Sequence, residues 1–227
     1  MDNRKLKNNK VLVFDFDGTM CQLFKNYNLK TTLKLLHEKM LEFGIEFSME
    51  KDSFDVFDEI LKQVPLENNP IKMRALIEAD NILTLAEVEA VTTGELVVGI
   101  ERIFPYLKNK EISLGVATNN SNKCVNTFMQ RYFPQMDIPV VGRVGDKPEL
   151  MKPNAWSLLE VISKLNCCSD DVIFIGDTQR DYLCAKNVGC KFIGLAPTER
   201  KKQKLLNVIS ESDIVSDYYE LVKCLGV

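Results

Sequence analysis

The segment VLVFDFDGTM, residues 11–20, limits the fold more than any other part of the chain. Its first four residues, Val11 to Phe14, are uniformly apolar, as expected of a strand buried on both faces. They run without a polar break into two aspartates one residue apart, then into Gly18 and Thr19. Carboxylates that close repel each other, and each resists losing its water. A buried strand gains nothing structural from ending on such a pair. Asp15 and Asp17 must therefore hold something that offsets the cost.

Short apolar runs of the same kind recur at 112–117, 138–141, 172–175 and 191–195, with a shorter one at 214–215. Helical periodicity lies between them at 123–132, 154–165, 179–188 and 200–208. Alternation of this type predicts an α/β fold, a doubly wound parallel sheet, and such sheets bind ligands at the carboxyl ends of their strands. Residues 25–94 break the alternation. Apolar positions recur there at helical spacing in TTLKLLHEKMLEFG, FDVFDEILKQV, IKMRALIEA and LTLAEVEAV. This predicts four helices, inserted after the first strand and standing over its end. The expected division is a catalytic core of residues 1–22 and 96–227 with a helical cap of residues 23–95.

Composition excludes several functions. A net charge of −3, with acids spread along the 227 residues, is no footprint of a nucleic-acid binder. The first ten residues are polar, and no apolar run approaches the ~20 residues of a membrane span. Seven cysteines, an odd number with no CxxC spacing, read as reduced thiols and place the chain in the cytoplasm. His37, the sole histidine, lies on a helix flank among Leu33, Leu36 and Met40. Trp156 and Phe174 read as core residues, and RKKQK at 200–204 reads as a solvated helix face.

The carboxyl ends of the strands carry an unusual set of residues. The first ends at Asp15 and Asp17. The second, ISLGVATNNS, ends at Thr118 and Asn119. Lys152 precedes a proline suited to a helix start, and VIFIGDTQRD ends at Asp177, with Asp181 four residues later. All map to one rim of the sheet. Carboxylates gathered at one point need a divalent cation, and oxygen-only ligands favour a hard ion such as Mg²⁺. A hydroxyl, backbone N–H groups and a lysine at the same point suit the oxygens of a phosphoryl group. One aspartate can attack phosphorus, while the other protonates the leaving oxygen and then deprotonates water.

DFDGT, ATN, KP and GDTQRD, in that order, resemble the four motifs of the haloacid dehalogenase superfamily, and the inserted helices resemble its C1 cap. Lys152 precedes Asp177 by 25 residues. The resemblance covers nearly the whole chain and implies a Rossmann-like core. It implies that Asp15 is a nucleophile forming an aspartyl phosphate, and that Asp17 is the general acid/base with its carbonyl on Mg²⁺. Thr118 and the Asn119 amide would bind the phosphoryl group, Lys152 would neutralise it, and Asp177 would be a metal ligand. Asp181 would hold a metal-bound water or orient Lys152. An aspartate at position 17 is similar to the phosphatases and phosphomutases of the superfamily and unlike its dehalogenases and P-type ATPases.

The chain departs from that pattern in having Gln22 and Leu23 at the cap junction, VVGIERI in place of a Pro-Gly-Val start, and a second Lys-Pro at Lys147. Lys152 is preferred because a regular helical pattern follows it. A receiver domain would be about half this length and would lack the cap. The expected activity is Mg²⁺-dependent hydrolysis of a small phosphorylated metabolite by a monomer or weak dimer, with no nucleic-acid or membrane partner. The alternatives are a phosphomutase and a non-catalytic phosphate-binding member. Lys25, Lys30 and Arg74 are the cations expected to meet the substrate, on a cap that moves as a body on its two connections.

Overall fold

The computed structural model describes residues 11–65 and 69–227. The polar leader of residues 1–10 lies outside them.

Six parallel strands form the main sheet: β1 (Val11–Phe14), β4 (Ser113–Ala117), β5 (Val140–Val141), β6 (Val172–Gly176), β7 (Lys191–Leu195) and β8 (Ile214–Val215). Their spatial order is β5-β4-β1-β6-β7-β8. The chain winds outward on one side of β1, then returns to its other side. That reversal leaves a crevice at the carboxyl ends of β1 and β6, where doubly wound sheets take their ligands. The register brings the ends level, with Phe14 opposite both Val116 and Ile175.

Side-chain alternation along β1 divides the core in two. Leu12, Phe14 and Phe16 face a cluster built with α4 (Ile100–Asn109), α5 (Asn122–Tyr132) and α9 (Tyr218–Leu225). Val11 and Val13 face the opposite layer, with α6 (Trp156–Lys164) and α7 (Gln179–Val188). The last helix of the core, α8 (Glu199–Leu206), follows β7. Phe174 is fully buried and Trp156 packs half-buried against the same layer, as their type suggested.

The insertion has its own apolar cluster, formed by α1 (Leu29–Glu42), α2 (Asp55–Gln63) and the first half of α3 (Pro70–Thr93). Four helices were expected, but the last two are one. Nothing between Ala79 and Leu83 breaks a helix, for Asp80, Asn81 and Ile82 include neither glycine nor proline. The resulting 24-residue rod is roughly 36 Å long. Asn69 caps it, accepting the Ile71 N–H at 2.9 Å, and Pro70 sits in the first turn where a missing N–H costs nothing.

This continuity revises how the cap is attached. Ala75, Leu76, Ala79 and Leu83 belong to the cap cluster, while Ala90 and Val91 belong to the main core. The two connections are also paired, β2 (Cys21–Gln22) running antiparallel to β3 (Glu95–Leu96). The insertion is therefore braced by a rigid helix as well as tethered by two linkers. Leu83, buried in the cap cluster, tests that packing. Leu83→Ala should cost about 2–5 kcal/mol, read as a lowered midpoint of urea unfolding.

Candidate active site

Beyond β1 the chain keeps its alternation for three more residues. Phe16 points into the core, fully buried and edge-on to Phe128 with ring centroids 5.1 Å apart. Asp15 and Asp17 consequently face the opposite way, toward the crevice. A tight turn follows, in which the N–H groups of Thr19, Met20 and Cys21 all point to the Phe16 carbonyl. Gly18 adopts φ +86°, and a Cβ there would lie 2.4 Å from Asp177 Oδ2, so only glycine lets the turn pass the acid. The fully buried Tyr218 braces the turn from below, its hydroxyl donating to the Thr19 carbonyl at 2.9 Å.

Lys152 is the pivot of the cluster. Its buried ammonium donates to Asp15 Oδ1 at 2.5 Å, to Asp181 Oδ1 at 2.6 Å and to the Ala117 carbonyl at 3.2 Å. Lys147 of the second Lys-Pro is exposed, which settles which lysine reaches the rim. Asn119 holds the Lys152 peptide from both sides. Its side-chain nitrogen donates to the Lys152 carbonyl at 3.1 Å, and its side-chain oxygen accepts the Lys152 N–H at 2.7 Å. Thr118, at the end of β4, is buried and donates to Asn120 Oδ1 at 3.0 Å.

Asp177 follows β6, and Asp181 lies in the first turn of α7, where a capping box fixes it. The Thr178 hydroxyl and N–H both donate to Asp181 Oδ2, at 2.6 and 3.0 Å. Gly176 makes room, since a Cβ there would meet Asp181 Cβ at 2.5 Å. Carboxylate oxygens of Asp15, Asp177 and Asp181 lie within 4.8 Å of one another. Asp177 Oδ1 is buried without a hydrogen-bond partner. An orphaned carboxylate oxygen beside two other acids fits a divalent cation held by hard oxygen donors.

Lys201 is the residue that sequence reasoning missed. It was read as part of a solvated helix face, but its ammonium lies 2.6 Å from Asp177 Oδ2 and donates to the Gly18 carbonyl at 3.2 Å. Arg200, Gln203 and Lys204 of the same run are exposed. A topological signal was available. The first turn of a helix following a parallel strand lies at the carboxyl rim, and Lys201 is in the first turn of α8 after β7.

Burial dominates the acidities. It raises Asp15 to about 7, with Asp181 adding to the shift and Lys152 opposing it. Burial likewise raises Asp17 to about 7, partly offset by the Leu23 N–H that donates to its Oδ1 at 2.9 Å. Asp177 rises to about 6 for the same reason, with Lys201 opposing. Burial would lower the Lys152 ammonium, but Asp15 and Asp181 overcome it and hold the group above its ordinary value.

A cleft of about 410 Å³ opens beside Asn119 and Lys152, walled by Phe54, Phe57 and Asp58 of the cap and by Arg180 of α7. The expected substrate cations lie elsewhere. Lys25 pairs with Glu95 at 2.6 Å beside the paired connections, Arg74 stacks over Phe43, and Lys30 is exposed and outside the cleft. Arg180, which pairs with Asp55 of the cap at 3.1 Å, is the cation on this wall besides Lys152. His37 donates to or accepts from nothing in the cluster; its Nδ1 lies 2.6 Å from the Phe47 carbonyl within the cap.

Fold and site together are those of a capped α/β hydrolase, with its acids at the switch point of the sheet. Haloacid dehalogenase-like hydrolases as a family match residues 12–195, and the chain belongs to that family. An uncharacterized hydrolase of Saccharomyces cerevisiae is 27% identical over 187 residues, or 82% of this chain and 76% of the yeast protein. Phosphoglycolate phosphatase of Salmonella typhimurium is 30% identical over 122 residues, or 51% of this chain and 45% of that enzyme. The match thus spans about half the length of the Salmonella enzyme. Among solved structures, a predicted phosphatase from Clostridium acetobutylicum superposes with TM-score 0.69 at 20% identity, over 96% of this chain and 98% of that one. CbbY from Rhodobacter sphaeroides, solved with phosphate, gives TM-score 0.66 at 16% identity, over 97% and 100%. Both share the fold.

The raised acidities make a testable statement. A carboxyl with a raised pKa holds its proton more tightly in the fold than in the unfolded chain. Its ionisation therefore costs stability, a cost absent below the ordinary value of 3.8 and fully present above about 7. A divalent cation relieves that cost. Added Mg²⁺ should raise the melting temperature more at pH 8 than at pH 5.5, read by differential scanning fluorimetry.

Proposed function

We propose that the chain is a Mg²⁺-dependent phosphomonoester hydrolase acting on a small phosphorylated metabolite through an aspartyl-phosphate intermediate. The observation that carries this reading is the position of Asp15. Its carboxylate stands within reach of the Lys152 ammonium, next to Asp177 and Asp181, with a second acid two residues on. The relatives named phosphoglycolate phosphatases support phosphate-ester chemistry in general.

In this reading Asp15 attacks phosphorus as the bond to the leaving oxygen breaks. Asp17, whose raised pKa of about 7 leaves a large fraction of it protonated near neutrality, gives its proton to that oxygen. Asp17 then takes a proton from water as the water attacks phosphorus, and the bond to Asp15 breaks to release phosphate. The Thr118 hydroxyl, the Asn119 amide and Lys152 hold the phosphoryl oxygens, and Asp181 keeps the lysine aimed. Mg²⁺, held by the carboxylates of Asp15 and Asp177 and the main-chain carbonyl of Asp17, would supply the positive charge that lets one anion approach another.

We also propose the division into a core of residues 1–22 and 96–227 and a cap of residues 23–95. The separate apolar cluster of the insertion supports it. Asp15, Asp177 and Asp181 are buried, so substrate reaches them only when the cap walls move apart. A cytoplasmic location agrees with seven cysteines that form no disulfide among the described residues. Among the described residues no helix is long and apolar enough to cross a membrane.

Hydrolysis of an aryl phosphate should vanish in chelator and return with Mg²⁺. Asp15→Asn should abolish turnover, and Asp17→Asn should slow it by roughly 10²–10⁴-fold, the usual worth of a general acid. Wild-type kcat in Asp15→Asn would sink the nucleophile assignment. Sugar phosphate isomerisation that depends on a bisphosphate primer, with little phosphate release, would favour a mutase instead.

A further inference from the structure

Arg143, two residues beyond β5, reaches into the junction between core and cap with its side chain fully buried. Its Nε donates to Asp80 at 2.6 Å, one terminal nitrogen donates to Glu87 at 2.7 Å and to the Asn119 carbonyl at 3.0 Å, and the other donates to Thr84 at 3.0 Å. Asp80, Thr84 and Glu87 are spaced four and three apart, so they share one face of α3. Phe54 and Phe57 cover the guanidinium, their ring centroids at 5.6 and 5.8 Å.

Glu87 is fully buried as well, and its carboxylate is spent on the residues after β4. Oε1 accepts from Asn120 Nδ2 at 3.2 Å, and Oε2 accepts the Ser121 N–H at 2.8 Å, at the start of α5. Asn120 in turn receives the Thr118 hydroxyl, and Asn119 clamps Lys152. A buried ion pair is a poor stabiliser beside an apolar packing of the same volume. This one joins a cap helix to three consecutive residues, 119–121, and through Asn120 to Thr118; Thr118 and Asn119 are the two read above as phosphoryl ligands.

We propose that Glu87 and Arg143 are positioning residues that shape the 118–121 loop, so that the phosphoryl-binding hydroxyl and amide are assembled only while α3 is docked. The inference rests on the phosphatase reading above. It assigns phosphate affinity in part to a cap residue that touches no substrate atom. Glu87→Gln keeps the shape but must set an amide nitrogen against either the donors of Arg143 and Asn120 or the Ser121 N–H, and Arg143→Lys keeps the charge but loses the fork.

The test measures inorganic phosphate as a competitive inhibitor, with KM, kcat and melting temperature recorded alongside. Both variants should weaken phosphate binding and raise KM at least tenfold. Leu83→Ala, one turn away in the cap cluster, should lose stability while keeping phosphate affinity within twofold. Phosphate binding within twofold of wild type in Glu87→Gln and Arg143→Lys would overturn the proposal, as would an equal loss in Leu83→Ala. A second measurement avoids variants that fail to fold. In the wild-type protein, added phosphate should slow amide exchange in residues 80–90 together with 118–124, and slowing in the loop alone would count against the coupling. A wild-type protein that neither hydrolyses phosphate esters nor binds phosphate would instead refute the phosphatase reading itself.

Discussion

The interaction on which the rest of the site depends is the buried ammonium of Lys152 between Asp15 and Asp181. Three acids gathered at the ends of β1 and β6 repel one another in a poorly hydrated crevice, and all three are buried. Lys152 offsets part of that repulsion on one side and Lys201 offsets part on the other, through Asp177. Neither restores the ordinary acidity, since Asp15 and Asp177 stay raised at about 7 and about 6. The residual cost is the thermodynamic reason such a site takes up a cation. Local structure here is arranged around charge, down to the glycine at 18 and the capping box on Asp181.

The second constraint is α3. A helix long enough to enter both apolar clusters makes the cap part of the core's own packing. The buried Arg143 network adds a polar joint at that passage, whereas the Arg180–Asp55 pair on the far wall is partly exposed and worth little by itself. Cap and core are thus joined unequally. The cleft lies on the α2 side, where Phe54, Phe57 and Asp58 form its cap wall.

Much of this was legible in the sequence because local pattern and chemistry agreed. Apolar runs placed the main strands to within two residues, and acids immediately after Phe14 and Gly176 announced the rim. The four-helix expectation for the cap failed because periodicity shows where a helical face lies but does not show an interruption that is absent; Asp80, Asn81 and Ile82 simply continue the turn. Lys25 was chosen for nearness to the cap entrance in sequence and Arg74 as a cation on a cap helix, and the fold turned both toward other partners, Glu95 and Phe43. Lys201 looked like any lysine in a basic run until the first turn of its helix was placed at the carboxyl rim, within reach of Gly18 and Asp177.

The sequence by itself determined the parallel α/β class, the order of the motifs and the chemistry available at the rim. These follow from side-chain alternation and from what carboxylates, a lysine and a hydroxyl can do when strand ends align. Only the tertiary structure decided which distant groups meet. Glu87 and Arg143, 56 residues apart, form an ion pair because α3 passes the end of β4. Lys201 reaches Gly18 across 183 residues because α8 begins at the same edge of the sheet. Contacts of that kind depend on how elements pack, and no local pattern records them.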